Sequence, residues 1–186
     1  MRKFYDDKSW SFLIASPSFS GPIFEETVIL LLEDNEDGAF GIIINKTLGK
    51  TLGELNADFI SSDLSEVEVF DGGPLVKDRI SLALCTGNKG DDDAIDGAFA
   101  FGVTPEKARE TLAKNPDSKL GAFAGYVGWE SGQLQREIDE GIWIVCNADI
   151  NMMFDVSPEE IWQQLLLQEC PKFEKLPTPK TNPSLN

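Results

Sequence analysis

Apolar residues along this chain come in short blocks set apart by Gly, Pro, Asn and Asp, the spacing of strands and turns rather than of one long helix. Residues 9–16, SWSFLIAS, read as a strand closed by the Pro and Gly of SPSFSGP. TVILLLED (27–34) and FGIIIN (40–45) are nearly continuous apolar runs. Such runs suit strands covered on both faces, and NEDG between them has hairpin-turn composition, so this pair is expected at the centre of a sheet. VEVFDGGP (67–74) predicts a strand and tight turn, ISLALC (80–85) a further strand, and AFAFGV, after an acidic loop, its hairpin partner. KLGAFAGYVGW (119–129) reads as a glycine-broken strand and IWIVCNA as the last one.

The helices are marked by their ends. Thr51 and Glu54 have the spacing of a capping box over a short helix. Thr104-Pro105-Glu106 puts a capping hydroxyl, a first-turn Pro and a negative charge at the positive end of a second helix, which Asn115-Pro116 stops. SGQLQREIDEG (131–141) predicts a helix ended by Gly141. Ser157-Pro158-Glu159-Glu160 reads as a capping box opening a last helix, with Ile161, Leu165 and Gln168 along one stripe and Pro171 at its end. One domain is expected over residues 1–170, followed by a Pro-rich, mobile tail over 171–186.

Charge changes the functional picture more than the structural one. With 32 acidic and 16 basic residues the net charge is −16. The tail beyond Pro171 holds Lys172, Lys175, Lys180 and Glu174, a net +2, so the body without it stands at −18. Nucleic-acid binders draw affinity from clustered Lys and Arg on phosphates, and no such cluster is present. Cys85, Cys146 and Cys170 form no CxxC pair and read as reduced structural thiols. With no signal-peptide core and no run of about eighteen apolar residues, a cytoplasmic protein off the membrane is expected.

The chain has no histidine, which excludes Ser-His-Asp and Cys-His catalysis and His-bound zinc. Neither GxSxG nor SxxK occurs. Gly49-Lys50-Thr51 imitates the end of a phosphate loop, but Ile44 stands where the first glycine is required. The loop from Asp91 to Gly97 imitates a calcium loop, yet Ala94 and Val103 fall on ligand positions, so a solvated loop is favoured. Glu25-Glu26 and Glu159-Glu160 are sequence neighbours whose side chains diverge, and they read as surface and helix-start residues. No catalytic residue, metal or cofactor is assigned.

Several segments in order carry a resemblance. They are FLIASPSFSGPIFEETVILLLEDNEDGAFGIIINK (12–46), the turn Gly72-Gly73-Pro74, and FAGYVGWESGQL (123–134), with Trp143 and Trp162 beyond. Together, over roughly residues 9–168, they resemble the AlgH/YqgE family of uncharacterised bacterial proteins, often labelled transcriptional regulators. Departures are Lys46-Thr47 where Arg-Pro is frequent, Val127 for Ala, and Glu130-Ser131 for Gly-Pro. The resemblance implies an α+β fold, a mixed and strongly bent sheet packed by several helices, and no catalytic constellation.

The matched positions mark a candidate binding pocket: Asn45 at a strand end, Gly73 and Pro74 in a tight turn, and Tyr126, Trp129 and Gln133 around a strand-to-helix junction. The alternative is structural, with the aromatics in the core, Gln133 capping the helix and Asn45 satisfying a buried turn. The functional expectation is a regulatory or binding protein acting through contact with a protein or a small molecule. An enzyme using non-histidine chemistry is the alternative, and a direct DNA-binding regulator the third reading, opposed by charge.

Overall fold

Nine strands pair into one mixed sheet with five α-helices around it, in a computed structural model that describes residues 10–18, 23–86 and 99–171. The acidic loop at 91–97 and the tail from residue 172 lie outside the described residues. In chain order the elements begin with β1 (Ser11–Ala15), β2 (Val28–Asn35), β3 (Gly38–Ile43), β4 (Thr47–Thr51), α1 (Leu52–Leu55) and β5 (Glu68–Asp71). They continue with β6 (Leu75–Cys85), β7 (Phe99–Val103), α2 (Pro105–Lys114), β8 (Lys119–Glu130) and α3 (Gln133–Asp139). The last are β9 (Trp143–Asn147), α4 (Met152–Asp155) and α5 (Pro158–Glu169).

The strand order is β4-β5-β8-β3-β2-β1-β9, with β6 paired to β8 and β7 to β6. β2 and β3 form the expected hairpin, and their apolar runs lie near the middle of the order because both faces of the sheet are covered there. Of the strand pairs, β5 with β8 is parallel and the others are antiparallel, which makes the sheet mixed. The α+β fold class is as expected.

β8 joins the two halves of this sheet. Its first half lies between β5 and β6, through Val69↔Ala122 and Leu82↔Ala122, and its second half pairs with β3 through Ala39↔Trp129. The change of partner falls at Gly125, where φ is +75° and an added Cβ would lie 2.5 Å from the Gly73 oxygen and 2.6 Å from the Leu75 oxygen. Glycine is required there because the Gly72-Gly73-Pro74 turn crosses the strand in backbone contact.

Three apolar clusters hold the layers. Phe12, Ile14, Leu30 and Ile42 face α5 through Ile161 and Leu165, whereas Leu13, Ile29 and Ile43 point to the opposite face with Trp129, Leu134 and Trp143. This alternation is the two-residue period of a strand, and each fully buried Leu, Ile or Phe contributes about 1.5–3 kcal/mol. A third cluster, Leu52, Val69, Leu82 and Ala108 among others, lies under α1 and α2.

The structure corrects several details. β6 begins five residues before Ile80, and the sequence pattern misses β4 and α4, which are short and, in β4, fully polar or exposed on its surface. Ser157 does not cap α5: its hydroxyl donates to the Glu159 carboxylate instead of accepting from the helix backbone. Gln168 is exposed, and Leu166 takes the buried place beside Leu165. At α1, Glu54 Oε2 does accept from the Thr51 N–H at 2.8 Å.

Candidate functional site

The ends of β3 and β5, the turn 23–26 and the start of β6 enclose a cleft of about 470 Å³. Gly73, Pro74 and Ile43 line it in apolar or backbone surface, and Lys46, Asp71 and Lys77 bring charge. Glu25, Glu26, Ile23 and Thr47 complete its lining. The volume falls in the range of about 300–1,000 Å³ of small-molecule sites.

The walls are fixed by backbone bonds. The Asp71 N–H donates to the Lys46 oxygen at 2.8 Å, and the Ile43 N–H to the Gly72 oxygen at 2.9 Å, so the end of β3 is stitched to the end of β5. Asn45 ties the acidic turn to the same place. Its Oδ1 accepts from the Val28 N–H at 2.7 Å, and its Nδ2 donates to the Glu26 oxygen at 2.8 Å. Asn45 is buried with both ends of its amide satisfied by backbone, so it positions the wall and does not line the cleft.

Two non-glycine residues among those described have positive φ, Glu26 at 51° and Val76 at 51°. Glu26 lines the cleft, and Val76 stands between Pro74 and Lys77, which also line it. Left-handed backbone costs about 1–2 kcal/mol for an L-residue, and a β-branched residue is a rarer occupant still. Val76 belongs to an outward bulge: between the pairs Leu75↔Tyr126 and Ile80↔Ala124, β6 advances five residues while β8 advances two. The bulge carries Lys77 to the cleft, where its Nζ lies 2.9 Å from Asp71 Oδ2.

Unused polar groups gather here. Gly73 is buried, and its N–H has no acceptor among the described residues. The Lys46 ammonium makes no ion pair among the described residues, although Glu25 and Glu26 line the same cleft. Asp71 Oδ1 is buried without a hydrogen-bond partner among the described residues. A buried amide without a partner is rare in folded proteins and marks a place that requires an explanation.

The six expected pocket residues therefore divide. Gly73 and Pro74 line the cleft, Asn45 braces its wall, and Tyr126 stands behind Gly73, whose added Cβ would lie 2.3 Å from the Tyr126 carbonyl carbon. The Tyr126 ring is in edge contact with Phe40, not part of the lining. Trp129 and Gln133 form a separate corner, at which Glu137 accepts from both the Trp129 and Trp143 indoles at 2.8 Å and from Gln133 Nε2 at 2.8 Å. Gln133 Oε1 takes the Glu130 N–H at 3.0 Å. That corner is closed by its own hydrogen bonds.

Lys46, Asp71 and Lys77 were not among the expected site residues, Lys46 being noted only as a departure from the family pattern. Lys46 follows Asn45 directly, which is a usable signal, but Lys77 reaches the cleft only through the bulge. The two buried thiols are poor nucleophiles: burial pushes Cys85 up, and it pushes Cys146 up to about 11. Among the described residues no cluster of Cys, Asp and Glu has the makings of a metal site, and no helix is long and apolar enough to cross a membrane.

The chain matches the AlgH-like family over residues 12–172. It is 32% identical to the UPF0301 protein of Chlamydia muridarum over 184 residues, covering 95% of this chain and 94% of that one. It is also 32% identical to the UPF0301 protein AlgH of Pseudomonas aeruginosa over 154 residues, covering 80% of this chain and 82% of its relative. The solution structure of that AlgH superposes with a TM-score of 0.67 at 27% identity, covering 96% of this chain and all of the other. A crystal structure from Corynebacterium diphtheriae, at 20% identity and a TM-score of 0.69, shares the fold over 96% of this chain and 92% of its own. With a family match over most of its length, relatives at 32% identity and a shared fold, this chain belongs to the AlgH-like family of bacterial proteins.

Proposed function

We propose that this protein is a binding protein whose small-molecule site is the cleft between the Glu25-Glu26 turn and the Gly73-Pro74 turn. The observation that carries this reading is the collection of unused polar groups at one cavity: the buried Gly73 amide, the Lys46 ammonium and the strained Glu26. In this reading a regulatory role works through contact with a small molecule or another protein. Direct grip on DNA is opposed by the net charge of −16. The free cysteines support a cytoplasmic setting.

A thermal-shift screen with a metabolite library tests the reading on the wild type and on Lys46→Ala. A ligand at about a hundred times its Kd adds about 2.7 kcal/mol. In a chain of this size that is a rise of about 5–10 °C, and Lys46→Ala is expected to remove it. If no compound stabilises the wild type, the small-molecule reading falls.

A further inference from the structure

Opposite charges share the cleft, and only some of them meet. Asp71 and Lys77 pair with each other at 2.9 Å, but Lys46 forms no ion pair with the two carboxylates of the facing turn. Asn45 fixes the backbone that carries these carboxylates. It anchors the Glu26 carbonyl and the Val28 N–H, so the acidic turn is fixed to the backbone next to Lys46. The charge of the turn is thus positioned by the main chain and left available at the side chains.

We infer that the cleft takes a small zwitterion, a free amino acid or short peptide, with its carboxylate on Lys46 and the Gly73 N–H and its ammonium on Glu25 and Glu26. The inference rests on the cleft being a ligand site. A simple anion would meet three carboxylates, Glu25, Glu26 and Asp71, and a simple polycation would meet two lysines, Lys46 and Lys77. A molecule carrying both signs matches both walls. The N–H of Gly73 supplies the fixed donor that a carboxylate prefers, and hydrogen bonds to a charged group are the stronger class. Ile23, Ile43 and Pro74 offer apolar contact to a side chain between the charged ends.

Glu26 strengthens this assignment. Its φ of 51° is a conformation in which glycine or asparagine carries less strain, so the carboxylate is retained at an energetic cost. Strain of this kind concentrates where a side chain has work to perform.

The test is a titration of the full-length 15N-labelled protein, followed by amide shifts, with glycyl-leucine, free leucine, N-acetyl-glycyl-leucine and glycyl-leucinamide. The zwitterions are expected to move the Lys46, Thr47 and Gly73 amides, and blocking either end is expected to weaken binding about 10-fold or more. Lys46→Ala should remove the distinction between glycyl-leucine and its amide, and Glu26→Gln should reduce the distinction between it and its acetylated form. Blocked and unblocked probes of equal affinity would overturn the zwitterion. So would failure of the zwitterions while malate, ribose 5-phosphate or spermidine moves the same amides, a result that keeps the cleft as a ligand site. If none of these probes moves them and the metabolite screen is also silent, both the class and the site fall.

Discussion

Two corners of this protein hold similar groups in opposite conditions. At the α3 corner, Glu137 receives the indoles of Trp129 and Trp143 and the amide of Gln133, and Gln133 takes the Glu130 N–H. At the Gly73 cleft, a buried N–H and a buried carboxylate oxygen have no partner among the described residues, and two non-glycine residues in or beside it are held at positive φ. A polar group whose bonds are complete stabilises the fold and has little left to offer a ligand. One held open by surrounding backbone retains its binding capacity, at a cost in stability. Conspicuous aromatic residues belong to the first corner, and plain lysine and glycine to the second.

The contrast can be broken most forcefully at Gly73. Its φ is +148° and an added Cβ would lie 2.3 Å from the carbonyl carbon and oxygen of Tyr126, so Gly73→Ala is expected to cost about 3–5 kcal/mol in urea unfolding. Asn45→Ala strands the Val28 N–H and the Glu26 oxygen, for an expected loss of about 2–4 kcal/mol by the same measurement. A near-neutral result there would show that Asn45 does not hold the wall.

Glu137→Ala should cost about 1–3 kcal/mol and alter tryptophan fluorescence, because two indoles lose their acceptor at once. Glu26→Gly is expected to act in the other direction, raising stability by up to about 1 kcal/mol while weakening ligand binding. A loss of stability would contradict the strain at this position.

The last effect concerns the thiols and is confined to alkaline pH. Cys146 stays protonated in the fold up to about 11, against the usual 9.0, so between those values the folded chain binds more protons than the unfolded one. Its contribution is therefore complete below pH 9 and is lost as the pH rises towards 11, which a pH series of melting temperatures on wild type and Cys146→Ala will show. Alkylation at pH 8 should reach the partly exposed Cys170 before the buried Cys85 and Cys146.

Much of the fold was legible from periodicity and end signals. The apolar runs of β2 and β3, the Thr104-Pro105 start of α2 and the Gly125 interruption of β8 each express a local rule that tertiary contacts then reinforce. β4 was not legible, since its residues are exposed and its strand character comes from pairing with β5. Of the six candidate pocket residues, Gly73 and Pro74 line the cleft and Asn45 braces its wall. Trp129 and Gln133 were named from the matched positions around the strand-to-helix junction, but the Trp129 indole and the Gln133 amide both bond Glu137 on α3, with Trp143 of β9 beside them, so they form a corner of their own.

Sequence alone determined the family, the α+β class, the acidic charge and the absence of histidine chemistry, because these depend on composition, order and local periodicity. Tertiary structure decided which polar groups are already spoken for. Glu26, Lys46 and Lys77 lie far apart along the chain, and only the β3–β5 stitching and the β6 bulge bring them to one cleft. Whether a polar group is free depends on its partners in space, and no local pattern encodes those.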